Sequence, residues 1–150
     1  MIREATPEDV PAMLALERGS PSAVHWPESK YRQIFDKEGP ARIALIVSAE
    51  SNDSPEINGF AVAAVAGGEC DLENIGVAEQ AQRRGLGMSL MQALATEARA
   101  HNASGIFLEV RESNAAARRL YEKCGFAITG RRPSYYAAPI EDAILYALSL

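Results

Sequence analysis

Glu109 stands within a short apolar run, between Leu108 and Val110. A carboxylate in such a run is costly unless it is paired or faces a cavity. Burial would raise its pKa and suit it to general-base work near neutrality. The alternative is a salt bridge to Arg111 or another arginine. Glu73 is a second carboxylate, close to the end of an earlier strand, and it either shares a site or faces solvent. Tyr121 falls on an apolar stripe with Ala117, Leu120 and Cys124, which reads as core packing with a bonded hydroxyl. Asn114 either touches a ligand or simply caps the helix that follows it.

A different chemistry is suggested by Gln82-Arg83-Arg84-Gly85-Leu86-Gly87-Met88. Gly85 and Gly87 carry no Cβ, so a ligand can approach the backbone there. The first N–H groups of a helix lack internal partners, and its dipole puts partial positive charge at that end. Such an end suits a phosphate or pyrophosphate, and Arg83 and Arg84 add forked cationic donors. The plainer reading is a helix start that uses glycines for a tight turn. Leu90 stands where a Gly-x-Gly-x-x-Gly fingerprint needs its third glycine, and no Gly-x-x-x-x-Gly-Lys-Ser/Thr string occurs. His25 and His101 are isolated. Cys70 and Cys124 form neither a zinc pattern nor a disulfide framework, so no metal is expected.

The elements that must hold these residues follow from periodicity. Ile2 to Ala5 predicts a short strand. Thr6-Pro7-Glu8-Asp9 opens a helix through Met13, Leu14 and Glu17, unless those four residues are a separate turn and the helix begins at Pro11. Pro27 starts a second helix through Tyr31, Ile34 and Phe35. Trp26 and Tyr31 either line a binding groove or pack in the core. Strands follow at 41–49, 59–66 and 70–77, with a turn-rich loop at 51–55 and a Gly67-Gly68 hairpin turn. A helix carries Leu86, Leu90, Ala93, Leu94 and Ala98. A strand at 106–111 places Ile106, Leu108 and Val110 on one face and Phe107, Glu109 and Arg111 on the other. A further helix ends at Gly125, a strand begins at Phe126, 133–139 reads as a loop, and 143–148 is a last strand. The order β-α-α-β-β-β-α-β-α-β-β predicts one α+β domain over 1–150, a mixed sheet with helices on its faces.

Composition narrows the function classes. Fifteen basic against twenty acidic residues give a net charge of −5, which argues against a nucleic-acid surface. It is compatible with a cationic substrate, or with solubility alone. No apolar run reaches membrane-spanning length, and Met1-Ile2-Arg3 does not begin a signal peptide. A cytoplasmic protein without a membrane partner is expected.

Taken together, several segments resemble the GNAT superfamily of N-acetyltransferases. The string from Gln82 to Gly87 matches its Gln/Arg-x-x-Gly-x-Gly/Ala signature. More narrowly, Asn74-Ile75-Gly76-Val77, the run from Leu108 to Ala117 and the run from Leu120 to Phe126 are similar to the RimI-type ribosomal-protein alanine N-acetyltransferases. So are Arg131 to Tyr136 and Glu141-Asp142-Ala143. The likeness runs from Leu72 to the C-terminus; earlier residues fit loosely, mainly around Trp26-Pro27. It implies a mostly antiparallel GNAT-like sheet and acetyl-CoA as cosubstrate. Ile75, Gly76 and Val77 would lie along the pantetheine arm. Arg83, Arg84, Gly85, Leu86, Gly87 and Met88 would hold the pyrophosphate, and Asn114 would contact the cofactor. Glu109 corresponds to the family's proton acceptor and Tyr121 to its proton donor. Tyr135 and Tyr136 correspond to a pair that grips a substrate peptide, with Trp26, Tyr31 and Glu73 further candidates on the substrate side. The implied partner is a protein N-terminus, of a ribosomal protein in the narrower likeness, and a monomer is expected.

Glu73 departs from the family, which commonly has an apolar residue there, so base duty is either shared or displaced. The segment between Tyr136 and Glu141 is short and can shape a different groove. A small-molecule amine acetyltransferase and a non-catalytic coenzyme A sensor are the alternative functions. An α-amino group has a pKa of about 7.7–8.0 against about 10.4 for lysine. One glutamate, acting through a water, is therefore an adequate base for an N-terminus.

Overall fold

The computed structural model describes residues 1–20, 24–49 and 56–150. The turn expected at 51–55, and 21–23 of the Pro/Ser loop before His25, lie outside them. The chain runs β1 (Ile2–Glu4), α1 (Val10–Arg18), α2 (Glu28–Gln33), β2 (Ala41–Ser48), β3 (Ile57–Ala66) and β4 (Glu69–Val77). It continues through α3 (Leu86–Ala100), β5 (Gly105–Arg111), α4 (Ala115–Lys123), β6 (Ala127–Tyr136) and β7 (Glu141–Ser149). Short 3₁₀ turns precede α1 at Pro7–Asp9 and α3 at Glu79–Ala81. The order of helices and strands is the one that periodicity predicts.

The strands form a seven-stranded sheet in the order β1-β2-β3-β4-β5-β7-β6. Every pairing is antiparallel except β4 with β5. Alternate residues of the strands feed two cores. Ile43, Leu45, Ala61, Ile106 and Leu108 pack with Leu90 and Leu94 of α3 and Tyr121 of α4. Ile46, Phe60 and Val62 pack on the opposite face, under Met13 and Leu14 of α1 and Tyr31 of α2. No helix among the described residues is long and apolar enough to cross a membrane.

One alternative that the sequence left open is decided, and one strand runs further than expected, each for a local reason. Pro7–Asp9 is a separate turn, and α1 begins at Val10, so Pro11 sits in a first turn where its missing N–H leaves no bond unmade. Asp9 closes the turn by accepting the Thr6 N–H at 2.8 Å and N–H groups of Arg3 Nη1 and Nη2, each at 2.8 Å. β6 does not stop before Pro133 but continues to Tyr136. It is an edge strand whose register shifts between Arg132 and Tyr136, and an edge irregularity tolerates a proline. Gly67 and Gly68 form the predicted hairpin turn, with φ of +57° and +80°.

The feature that makes a site is a failure of pairing. β4 and β5 are joined through Glu69–Gly105, Cys70–Ile106 and Asp71–Phe107, and then part. On its other side β4 carries a bulge: Ala63 faces Leu72 and Val62 faces Asn74, which leaves Glu73 as the extra residue. The second halves of both strands therefore diverge.

Candidate active site

The divergence opens a cleft of about 140 Å³. β4 contributes Glu73, Asn74 and Ile75; β5 contributes Glu109 and Arg111; α4 contributes Asn114 and Tyr121; β6 contributes Tyr136. A larger hollow of about 980 Å³ lies between α1 and the segment following β4. Of the candidate residues only Val77 borders it, so volume alone does not mark the site.

Glu109 is exposed, not buried among its apolar neighbours, because its face of β5 is open. Its Oε1 lies 3.3 Å from Arg132 Nε. Arg111 is engaged elsewhere: it donates to Glu141 Oε2 and to the Pro139 carbonyl, each at 3.2 Å, and lies 4.4 Å over the Tyr136 ring. A hydrogen bond to Glu109, and then the carboxylate's charge, hold the Tyr135 hydroxyl above its usual range. Burial first, and then the Glu109 charge, do the same to Tyr136. The two tyrosine rings meet edge to face at 5.0 Å.

Tyr121 is 5% exposed, and its hydroxyl has no hydrogen-bond partner among the described residues. The expected bonded hydroxyl is therefore absent, although the ring packs against Phe126 and Tyr146 as a core residue does. Burial, with smaller contributions from Tyr136 and Cys124, pushes the hydroxyl pKa up, so it holds its proton at neutral pH. Asn114 caps α4 by accepting the Ala117 N–H at 3.2 Å while also lining the cleft.

Other candidates lie elsewhere. Glu73 is tied to Arg42, Oε1 to Nε at 2.6 Å, so its carboxylate is occupied although it borders the cleft. Trp26 and Tyr31 do not line a groove. Tyr31 has no exposed surface, and both rings sit in the core beneath α1, 5.2 Å apart. The Tyr31 hydroxyl donates to Glu17, a carboxylate on the apolar stripe of α1. Sequence reasoning missed Glu17, Asn74 and Arg132. The first two carry a readable signal, a polar side chain at a position where periodicity requires a buried one.

At the start of α3, Gly85 has φ +75° and a Cβ there would meet nothing within 4 Å, so the space in front of it is open. Arg83 and Arg84 are exposed and make no ion pair among the described residues. The N–H groups of Leu86, Gly87 and Met88 begin the helix without internal partners. These groups fit a pyrophosphate. Gly87 serves a different purpose from the one expected: a Cβ there would lie 3.0 Å from Leu120 Cδ2, so its smallness lets α4 pack on α3. Gly76 likewise makes room for Leu16, 2.8 Å from a Cβ built there. No group of three or more His, Cys, Asp or Glu side chains among the described residues is arranged to hold a metal.

Comparisons with known proteins agree with this geometry. A model of the acetyltransferase (GNAT) family matches residues 10–126. The [ribosomal protein bS18]-alanine N-acetyltransferase of Salmonella typhimurium is 36% identical over 144 residues, 95% of this chain and 92% of that protein. The crystal structure of the ribosomal-protein-S18-alanine N-acetyltransferase of Escherichia coli superposes with a TM-score of 0.81 at 33% identity, covering 99% of this chain and 92% of that one. Arabidopsis thaliana NAA60 in complex with acetyl-CoA shares the fold, with a TM-score of 0.87 at 18% identity over 100% and 98% of the two chains. With its parted strands, its open helix start and a family match over most of its length, the chain belongs to the acetyltransferase (GNAT) family.

Proposed function

We propose that this protein transfers the acetyl group of acetyl-CoA to the α-amine of a protein N-terminus, an alanine of the ribosomal protein bS18. The observation that carries the reading is the convergence on one cleft of an exposed carboxylate, Glu109, and the hydroxyl of Tyr121, which bonds no described residue. The named activity of relatives such as the Salmonella enzyme supports the choice of substrate. The proposal takes residues 1–150 as one catalytic domain, working as a monomer in the cytoplasm.

The thioester supplies an activated acetyl carbon. Arg83, Arg84 and the first amides of α3 hold the pyrophosphate, and the unpaired edge of β4 at Ile75, Gly76 and Val77 offers backbone groups to the pantetheine amides. Asn114, at the cap of α4, contacts the cofactor. Glu109, through a water, takes one proton from the amine as the nitrogen forms its bond to the acetyl carbon. As the carbon–sulfur bond breaks, Tyr121 gives its proton to the departing sulfur. The amine has then lost one hydrogen and gained the acetyl group, and the sulfur has become a thiol. A proton returned from Glu109 to Tyr121 through solvent resets the site. Tyr136, which lines the cleft, and the exposed Tyr135 packed against its ring take the peptide side, with Arg132 holding Glu109 in place.

Glu109→Gln tests the base. The variant is expected to lose about 100-fold in kcat on a bS18 N-terminal peptide. Acetyl-CoA affinity, measured by calorimetry, should remain within about twofold, because Glu109 lies on the amine side. Full activity of the variant across pH would remove Glu109 from the mechanism. Faster turnover of polyamines or aminoglycosides than of the peptide would favour a small-amine substrate instead.

A further inference from the structure

Asn74 Oδ1 is, among the described residues, the one buried side-chain nitrogen or oxygen without a hydrogen-bond partner. Asn74 is 3% exposed, so bulk water does not satisfy it. An acceptor left in that state keeps its full desolvation cost, which asks for a partner beyond the described residues.

The amide is not free to turn over. Asn74 Nδ2 donates to the Val24 carbonyl and to the Tyr31 hydroxyl, both at 3.2 Å. A carbonyl only accepts, so the NH₂ end must face Val24. The Tyr31 hydroxyl spends its proton on Glu17 Oε1 at 2.9 Å and therefore accepts from Asn74. Glu17 is 1% exposed; it also accepts the Trp26 N–H and lies 3.3 Å from His25 Nδ1. A line of fixed donors and acceptors thus runs from α1 through α2 to β4. It ends at one spare oxygen on a residue that borders the cleft, on the strand opposite Glu109.

We infer that Asn74 is a substrate-positioning residue whose Oδ1 accepts the N–H that the attacking amine keeps, while Glu109 receives the one it gives up. The inference rests on the acetyl transfer proposed above. A neutral primary amine has two N–H bonds and one lone pair. Acceptors on both parted strands hold the two N–H bonds and leave the lone pair aimed at the acetyl carbon between them. A neutral amide oxygen does this without favouring the ammonium form as a second carboxylate would. Asn74 neither gains nor loses a proton in the reaction.

The test compares two peptides, one beginning with alanine and one with N-methylalanine, in the wild type and in Asn74→Ala. The neutral N-methyl amine has a single N–H and cannot satisfy both acceptors. Wild type should prefer alanine strongly. The variant should lose about tenfold in kcat/KM for the alanine peptide and much less for the N-methyl peptide, so the preference shrinks. Acetyl-CoA binding should be unchanged. Equal losses on both peptides, or none, would overturn the inference and leave the transfer reaction standing. No acetylation of either peptide by wild type would instead overturn the reaction itself. A crystal structure of the wild type with a peptide–coenzyme A bisubstrate gives a check independent of the variant's folding. The linking amide N–H should donate to Asn74 Oδ1, and a trapped water as the sole partner of Oδ1 would contradict the inference.

Discussion

At the level of single residues, most polar groups around the cleft already have partners. Glu73 is held by Arg42, Arg111 by Glu141, and Glu17 by Tyr31 and Trp26. Tyr121 is not, and this makes its substitution informative. Tyr121→Phe removes no hydrogen bond to any described residue, so Tm should move by less than about 2 °C. Its kcat should nevertheless fall by about 100-fold if the hydroxyl protonates the leaving sulfur. Because burial raises the hydroxyl's pKa, the proton is present throughout neutral pH. Deprotonation of Tyr121 should therefore cause no loss of kcat below about pH 10, the ordinary tyrosine value. A variant that is unstable but fully active per folded molecule would make Tyr121 a core residue only.

At the scale of elements, two glycines that read alike in the sequence separate by role. Gly85 faces open space at positive φ, whereas Gly87 is pressed against Leu120 of α4. Gly85→Ala should cost about 1–2 kcal/mol for the left-handed backbone and should also weaken acetyl-CoA binding measurably by calorimetry. Gly87→Val should chiefly lower Tm, with a packing cost of about 1–3 kcal/mol from displacing Leu120. Periodicity made the strands and helices legible, since 3.6-residue and two-residue patterns are written locally. It could not show that β4 and β5 pair for three residues and then part, because that depends on which strands become neighbours. The bulge that singles out Glu73 is likewise a property of the β3–β4 register, and β3 alone carries no sign of it. Trp26 and Tyr31 had two readings open for the same reason, and the packing of α1 over α2 decided for the core. The glycine-arginine string and the residues that line the cleft from β5 and α4 were readable. The unpaired state of Asn74 Oδ1 and of the Tyr121 hydroxyl was not, since absence of a partner is a fact of the assembled fold.

At the scale of the molecule, α1 and α2 pack on the face of the sheet opposite α3 and α4, and β1 stitches them to the sheet edge. The Arg3–Asp9 pair ties β1 to the start of α1. Its hydrogen bonds hold the Asp9 carboxyl below the usual range. Folding therefore favours the ionised form. The stabilisation is complete above the ordinary carboxylate value and is lost as pH falls through the lowered folded one. Asp9→Asn should cost about 1 kcal/mol at neutral pH, allowing for the exposure of Arg3. The Tm difference from wild type should shrink below about pH 4. A difference that does not change with pH would mean that packing, not charge, makes the link. The proposed transfer requires that the opening between the parted strands accept an α-amine beside acetyl-CoA. Mass spectrometry of purified protein incubated with isotopically labelled acetyl-CoA tests it most directly, using a bS18 N-terminal peptide that also contains a lysine. Label on the α-nitrogen alone is the predicted result; label on the lysine side chain, or none on the peptide, would contradict it.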